Sequence, residues 1–160
     1  MLVLEILVDR YKKGGAAAKE SIYQFYLKNR RQINNWNLVD GSAPYIVGAH
    51  LIGKDRSFLY ELAQSSSLWD RRIAVVATLA FIREGSVTET LKLSELLLAD
   101  EHDLIHKACG WMLREVGKRN QRELENFLRQ YQALMPRTML RYAIERFPPV
   151  KRKAYLAGKM

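Results

Sequence analysis

One cysteine, Cys109, is all the sulfhydryl chemistry this chain has. That excludes an intramolecular disulfide framework and fits a cytoplasmic protein. Only four prolines interrupt 160 residues, and 48% of the residues are hydrophobic. The composition is therefore not that of a disordered chain, and it can bury a core the size of one ordinary domain. No apolar run approaches the ~20 residues that a membrane-crossing helix needs. The opening MLVLEILVDRYKK is briefly apolar but carries Glu5 and Asp9, with no basic leader or small-residue cleavage site, so it does not read as a secretory signal. Also missing are a Gly-rich phosphate loop, a G-x-S-x-G elbow, an H-E-x-x-H pair and a zinc-deaminase signature.

What is present in excess is positive charge, a formal net of +9. Its distribution matters more than its size. The first 31 residues and the last 47 are strongly basic, and the stretch between them is mildly acidic. Basic segments favour phosphate backbones or anionic membrane surfaces, through long-range attraction and counterion release.

No convincing alternating run of strand type occurs, and the chain reads as helices throughout. Helical periodicity marks 2–13, 17–31, 43–53, 56–65, 68–84, 88–99, 103–119, 121–133, 136–147 and 149–157. Ser67 with Asp70 and Ser86 with Glu89 have capping-box spacing. Gly85 suits the position just past a helix end, and Pro136 and Pro148 suit first turns. The connections are short, so neighbouring helices should be antiparallel. Helices alternate shorter and longer in pairs, which points to a helical-pair solenoid over residues 1–160 rather than a four-helix bundle. The first helix starts without a capping residue and shows an apolar face. Such a face is expected to be covered by upstream helices or by a partner.

Three clusters stand out. In HDLIHKACGWMLREVGKR, Lys107, Trp111, Arg114 and Lys118 share one helical stripe, while Leu104, Ile105, Ala108, Cys109, Met112, Leu113 and Val116 form the apolar one. An indole ringed by cations suits a ligand that is both anionic and flat, as nucleic acid is. A core-edge tryptophan with solvated neighbours is the plainer alternative. In NNWNLVDGSAP, Trp36 and Asp40 are four apart and would share a face if 35–40 make one helical turn. Otherwise Asp40 caps the next helix and Trp36 fills the core. In LWDRRIAVVATLAFIR, Arg72 interrupts an apolar helix with Arg83 on the same line. An arginine there wants a phosphate, or an internal carboxylate such as Asp40. His102 and His106, with Glu101 beside them, have one possible metal-ligand spacing but no supporting motif, so no metal site is expected. His50 and Cys109 read as structural.

NNWNLVDGSAPYIVG, LWDRRIAVVATLAFI, HDLIHKACGWMLREVGKRN and MPRTMLRYAIERFP, in that order, resemble the DNA alkylation repair family of AlkD-like DNA glycosylases. The resemblance covers nearly the whole chain, from about residue 4 to 157. It implies an all-α fold, a right-handed α-α superhelix of HEAT-like antiparallel helix pairs. It implies hydrolysis of the N-glycosidic bond of cationic N3- and N7-alkylated purines in double-stranded DNA, with no cofactor and no metal. Carried over position by position, Asp40 is the catalytic carboxylate, Trp36 and Trp111 are aromatic walls and Arg72 is a basic residue of the DNA-facing cleft. From periodicity, Lys107, Arg114 and Lys118 are expected to contact the DNA backbone. Position 37 is Asn where the family usually has Asp, and the family pattern has several helices before the segment matching 2–13. Without the resemblance, two other functions stay open: a non-catalytic binder of distorted or branched DNA, and a helical-repeat protein scaffold.

Overall fold

In a computed structural model, which describes residues 2–160, every regular element is helical. The order is α1 (Leu2–Lys13), α2 (Ala16–Asn29), α3 (Trp36–Asp40), α4 (Ser57–Ala63), α5 (Leu68–Ala77), α6 (Leu79–Arg83), α7 (Thr88–Leu96), α8 (Asp103–Arg119), α9 (Gln121–Tyr131), α10 (Arg137–Ala143) and α11 (Pro149–Leu156). No helix is long and apolar enough to cross a membrane among these residues.

Local chemistry places the boundaries. Ser67 caps α5 by accepting from the Asp70 amide, but the reciprocal half of the expected box does not form, because the Asp70 carboxylate accepts from Arg30 and Ser65 instead. Gly85 ends α6 with φ +86°, a conformation that strains any residue with a Cβ. The expected Ser86–Glu89 capping box does not form. Arg56 takes the side chains of both residues, with a 2.5 Å ion pair to Glu89, and stacks its guanidinium over the Phe81 ring. Where a continuous helix is expected over 43–53, the chain instead makes a π-helical turn at Pro44–Gly48, with the Gly48 amide bonding the Ala43 carbonyl at 2.9 Å. That turn puts Gly48 against α5, where a Cβ would stand 2.1 Å from the Ala77 carbonyl oxygen. The helix expected over 68–84 is interrupted at Thr78, whose hydroxyl donates to the Val75 carbonyl.

One apolar core runs through the array. Its largest fully buried side chains include Tyr26, Ile46, Leu59, Ile73, Phe81, Ile105, Met112 and Leu128. Cys109 lies in it, and burial pushes its thiol up to about 12. Packing runs between neighbours along the chain: α1 on α2, α4 on α5, α5 and α6 on α8, α8 on α9 and α10. This is the contact pattern of stacked helix pairs. Helices α5–α6 and α8 lie side by side and run the same way. Arg72 near the start of α5 bonds the Leu104 carbonyl at the start of α8, and Arg83 at the end of α6 shares a cleft with Lys118 and Arg119 at the end of α8. At the α1–α2 edge, Leu2, Val3, Ile6 and Phe25 are exposed beside an apolar groove floored by Leu4, Leu7 and Ile33.

Candidate functional site

Helix α3 is a single turn. The Asn35 side chain caps it by accepting from the Asn37 amide at 2.9 Å. The turn sets Trp36 and Asp40 on one face, the condition that the sequence left open. Trp36 is 50% exposed and so does not fill the core. Asp40 caps no helix. Its two carboxylate oxygens accept from Arg72, Oδ1 from Nε at 2.9 Å and Oδ2 from Nη2 at 2.8 Å. The third nitrogen, Nη1, donates to the Leu104 carbonyl at 2.5 Å.

Arg72 is thus fixed by three bonds inside an otherwise apolar stretch of α5. Its side chain is 6% exposed and that of Asp40 is 18% exposed. Of the two partners the sequence allowed for Arg72, the structure holds the carboxylate. A planar guanidinium in bidentate contact fixes the carboxylate plane as well as its position. A carboxylate has about four lone-pair sites, so Asp40 keeps acceptor capacity toward the open side.

That open side is a cleft of about 320 Å³. Trp36 and Asp40 enter it from α3, Arg72 from α5, and Lys107, Trp111 and Arg114 from α8. Six of the seven predicted site residues therefore meet in one place. The seventh, Lys118, lies farther along α8 in an adjoining cleft that Trp111 also lines. The cations at the rim, and Lys118 beyond it, all have acidic neighbours on the protein. Lys107 pairs with Asp103 at 2.8 Å, Lys118 with Glu115 at 2.8 Å, and Arg114 with Glu145 and Glu115. Those of Lys107 and Lys118 are exposed contacts within one helix, which are weak and readily exchanged for a stronger anion.

Tyr142, from α10, completes the wall and was not singled out from sequence. Its place depends on Gly110. A Cβ there would stand 2.5 Å from the Tyr142 Cβ and 2.6 Å from the Met139 carbonyl, so only glycine lets α10 close onto α8 beside Trp111. A buried glycine immediately before the site tryptophan was the available signal. The two histidines with metal-ligand spacing have other partners. His102 caps α8 by accepting from the Leu104 amide, and His106 meets the Asp100 carbonyl.

A fixed carboxylate between two indoles and a phenol, open to solvent and rimmed by cations, suits a ligand with a positive centre on a polyanionic frame. The protein-family model described as DNA alkylation repair enzyme matches residues 1–147. No curated protein and no solved structure matches the chain.

Proposed function

The chain belongs to the DNA alkylation repair enzyme family, which gives it a role in the repair of alkylated DNA, and from that premise we propose that it is a DNA glycosylase for cationic N3- and N7-alkylated purines. The single observation that carries this reading is the Asp40 carboxylate, held bidentately by Arg72 at the base of a cleft walled by Trp36 and Trp111.

An alkylated purine carries its positive charge before any reaction, so it leaves without being protonated. The C1′–N bond breaks with its electron pair going to the purine, which departs neutral. Positive charge passes to the deoxyribose as an oxocarbenium-like centre. Asp40 stabilises that centre and orients a water, whose oxygen bonds C1′ and whose proton passes to the carboxylate or to solvent. The products are a free base and an abasic site. Each indole face attracts a cationic group by ~0.5–2 kcal/mol, depending on desolvation. Undamaged DNA offers no such cation. Arg72 acts through Asp40 and is a positioning residue, while Lys107 and Arg114 meet the phosphates flanking the lesion.

The test is release of 7-methylguanine and 3-methyladenine from methylated duplex DNA by the parent chain and by Asp40→Asn. The parent is expected to release both bases. The variant is expected to lose at least ~100-fold in rate, the order seen when one transition-state charge contact is removed. Normal excision by Asp40→Asn would sink the catalytic role. Salt-sensitive duplex binding without release by either protein would favour a non-catalytic DNA-binding role.

A further inference from the structure

Beyond the site cleft, Trp111 also borders a second and larger cleft of about 540 Å³ on the same side of α6 and α8. Leu79 and Ile82 line it, and Arg83, Lys118 and Arg119 project into it. Two of the cations here differ from those at the site rim. Among the described residues, Arg83 and Arg119 take part in none of the ion pairs. The one carboxylate in the cleft, Glu115, is already shared between Lys118 at 2.8 Å and Arg114 at 3.9 Å.

Arg83 is nonetheless held in place. Its guanidinium lies 5.3 Å from the centroid of the Tyr45 ring, and the ammonium of Lys12, another cation without an ion pair, lies 4.6 Å from the same centroid. A ring quadrupole can position a cation without neutralising it. Four cations from α1, α6 and α8 are therefore gathered around a tyrosine and a cleft with one shared carboxylate among them. Such a cluster repels itself until an anion arrives.

Its distance from the site narrows the ligand. Arg83 follows Arg72 by eleven residues on α5–α6, and Lys118 follows Lys107 by eleven on α8. At about 1.5 Å per residue, each second cation stands roughly 16 Å beyond its partner at the site. No single phosphate or nucleotide bridges that gap. A duplex bridges it readily, with one phosphate charge per about 1.7 Å of axis.

We propose that the Arg83–Lys118–Arg119 cleft is a second anchoring site for the backbone of the damaged duplex, holding phosphates several nucleotides to one side of the lesion at Asp40. The inference rests on DNA being the ligand of the neighbouring site. Anchoring at two separated points fixes the direction in which the duplex crosses Trp111. It therefore sets on which side of the lesion, 5′ or 3′ along the damaged strand, the anchored phosphates lie.

The experiment measures the salt dependence of binding to a labelled 20-base-pair duplex with a central 7-methylguanine, for the parent, Arg83→Gln/Arg119→Gln and Arg122→Gln. Arg122 is an exposed cation on α9 outside both clefts, and Arg83 and Arg119 are themselves exposed, so all three proteins should melt alike. The double variant is expected to lose about two from the log–log salt slope, while Arg122→Gln loses none. Duplexes shortened to three base pairs on one side of the lesion, each side in turn, supply the polarity. One truncation should erase the difference between parent and double variant, and the other should preserve it. An unchanged slope in the double variant overturns the proposal, as does an equal loss in Arg122→Gln or indifference to which side is cut. Base release by the parent, scored separately, decides the glycosylase reading. Release with an unchanged slope would fail this site alone. A two-unit slope change without release would fail the chemistry and keep the site.

Discussion

The Asp40 carboxylate faces the cleft while the Arg72 guanidinium fixes it from behind. Cutting either side leaves the other uncompensated in a nearly closed place. Arg72→Ala is expected to cost about 3 kcal/mol of stability, because Asp40 and the Leu104 carbonyl lose their donor. Chemical denaturation would measure that loss. The salt slope of DNA binding should stay where it is, since the side chain is buried and each of its three nitrogens already donates within the protein. A fall of one unit in that slope would show that Arg72 grips the backbone after all. Arg72→Lys should recover much of the stability but little of the excision, because an ammonium cannot hold both carboxylate oxygens in one plane. At this scale the sequence was a partial guide. The four-residue spacing of Trp36 and Asp40 was legible. The partner of Arg72 was not, since phosphate and carboxylate satisfy a guanidinium equally well on paper. Tyr142 left only the indirect mark of Gly110, because it reaches the cleft through the packing of α10 on α8.

Single elements show why some boundaries could be read and others could not. Helix α8 begins and ends where periodicity and its flanking residues place it. The π-helical turn at Pro44–Gly48 left no local mark, because tertiary pressure makes it: it lets the Gly48 backbone lie against the Ala77 carbonyl. Gly110→Ala is expected to destabilise by ~1–3 kcal/mol, the usual range for overpacking. It should also slow excision at saturating DNA, because α10 must back away and take Tyr142 with it. Thermal melts and single-turnover rates would measure the two effects. The π-helical turn leads into a second contact of this kind, around His50. Its ring stacks on Tyr23 with centroids 3.9 Å apart, Nδ1 meets the Tyr11 hydroxyl at 3.2 Å, and Nε2 meets Lys54 at 2.8 Å and Glu20 at 3.2 Å. Burial first, and then the Lys54 charge, hold this imidazole below its ordinary value near 6.5. The unfolded chain therefore takes up a proton that the folded chain resists. The stability this group supports is complete above about pH 6.5 and is lost as the pH falls below it toward the lowered folded value. The melting temperature is expected to drop between pH 7 and pH 5.5, with a shallower drop in His50→Gln. Equal slopes in the two proteins would show that His50 does not control that window.

Across the whole molecule, charge and topology reinforce one another. Parallel packing of α5–α6 with α8 turns two separate sequence periodicities into two cationic zones, one at each end of the same pair of helices. Composition alone gave the surplus of +9 and its uneven spread. It could not say that Arg83 and Arg119, from segments more than thirty residues apart, share a cleft. Nor could it separate cations that are paired from those that are not. Duplex affinity should fall steeply between 50 and 200 mM salt, linearly on logarithmic axes. An affinity insensitive to salt would show that the net charge plays no part in binding. The all-helical character was legible because every segment carried the same period and every break carried a turn former. The apolar face of α1 was legible too, and Leu2, Val3 and Ile6 do stand in the open.

Trp111 forms the wall common to both clefts, and its position makes the protein its own optical probe. Trp69 packs partly buried against the core, whereas Trp36 and Trp111 border the openings. Indole emission responds to the water and the bases around it. Titrating unlabelled protein with duplex should therefore quench two of the three tryptophans and spare the third. With Trp36→Phe in place, the remaining response belongs to Trp111. Short duplexes that fill one side of that wall or the other would then reveal, by emission alone, the order in which the DNA settles.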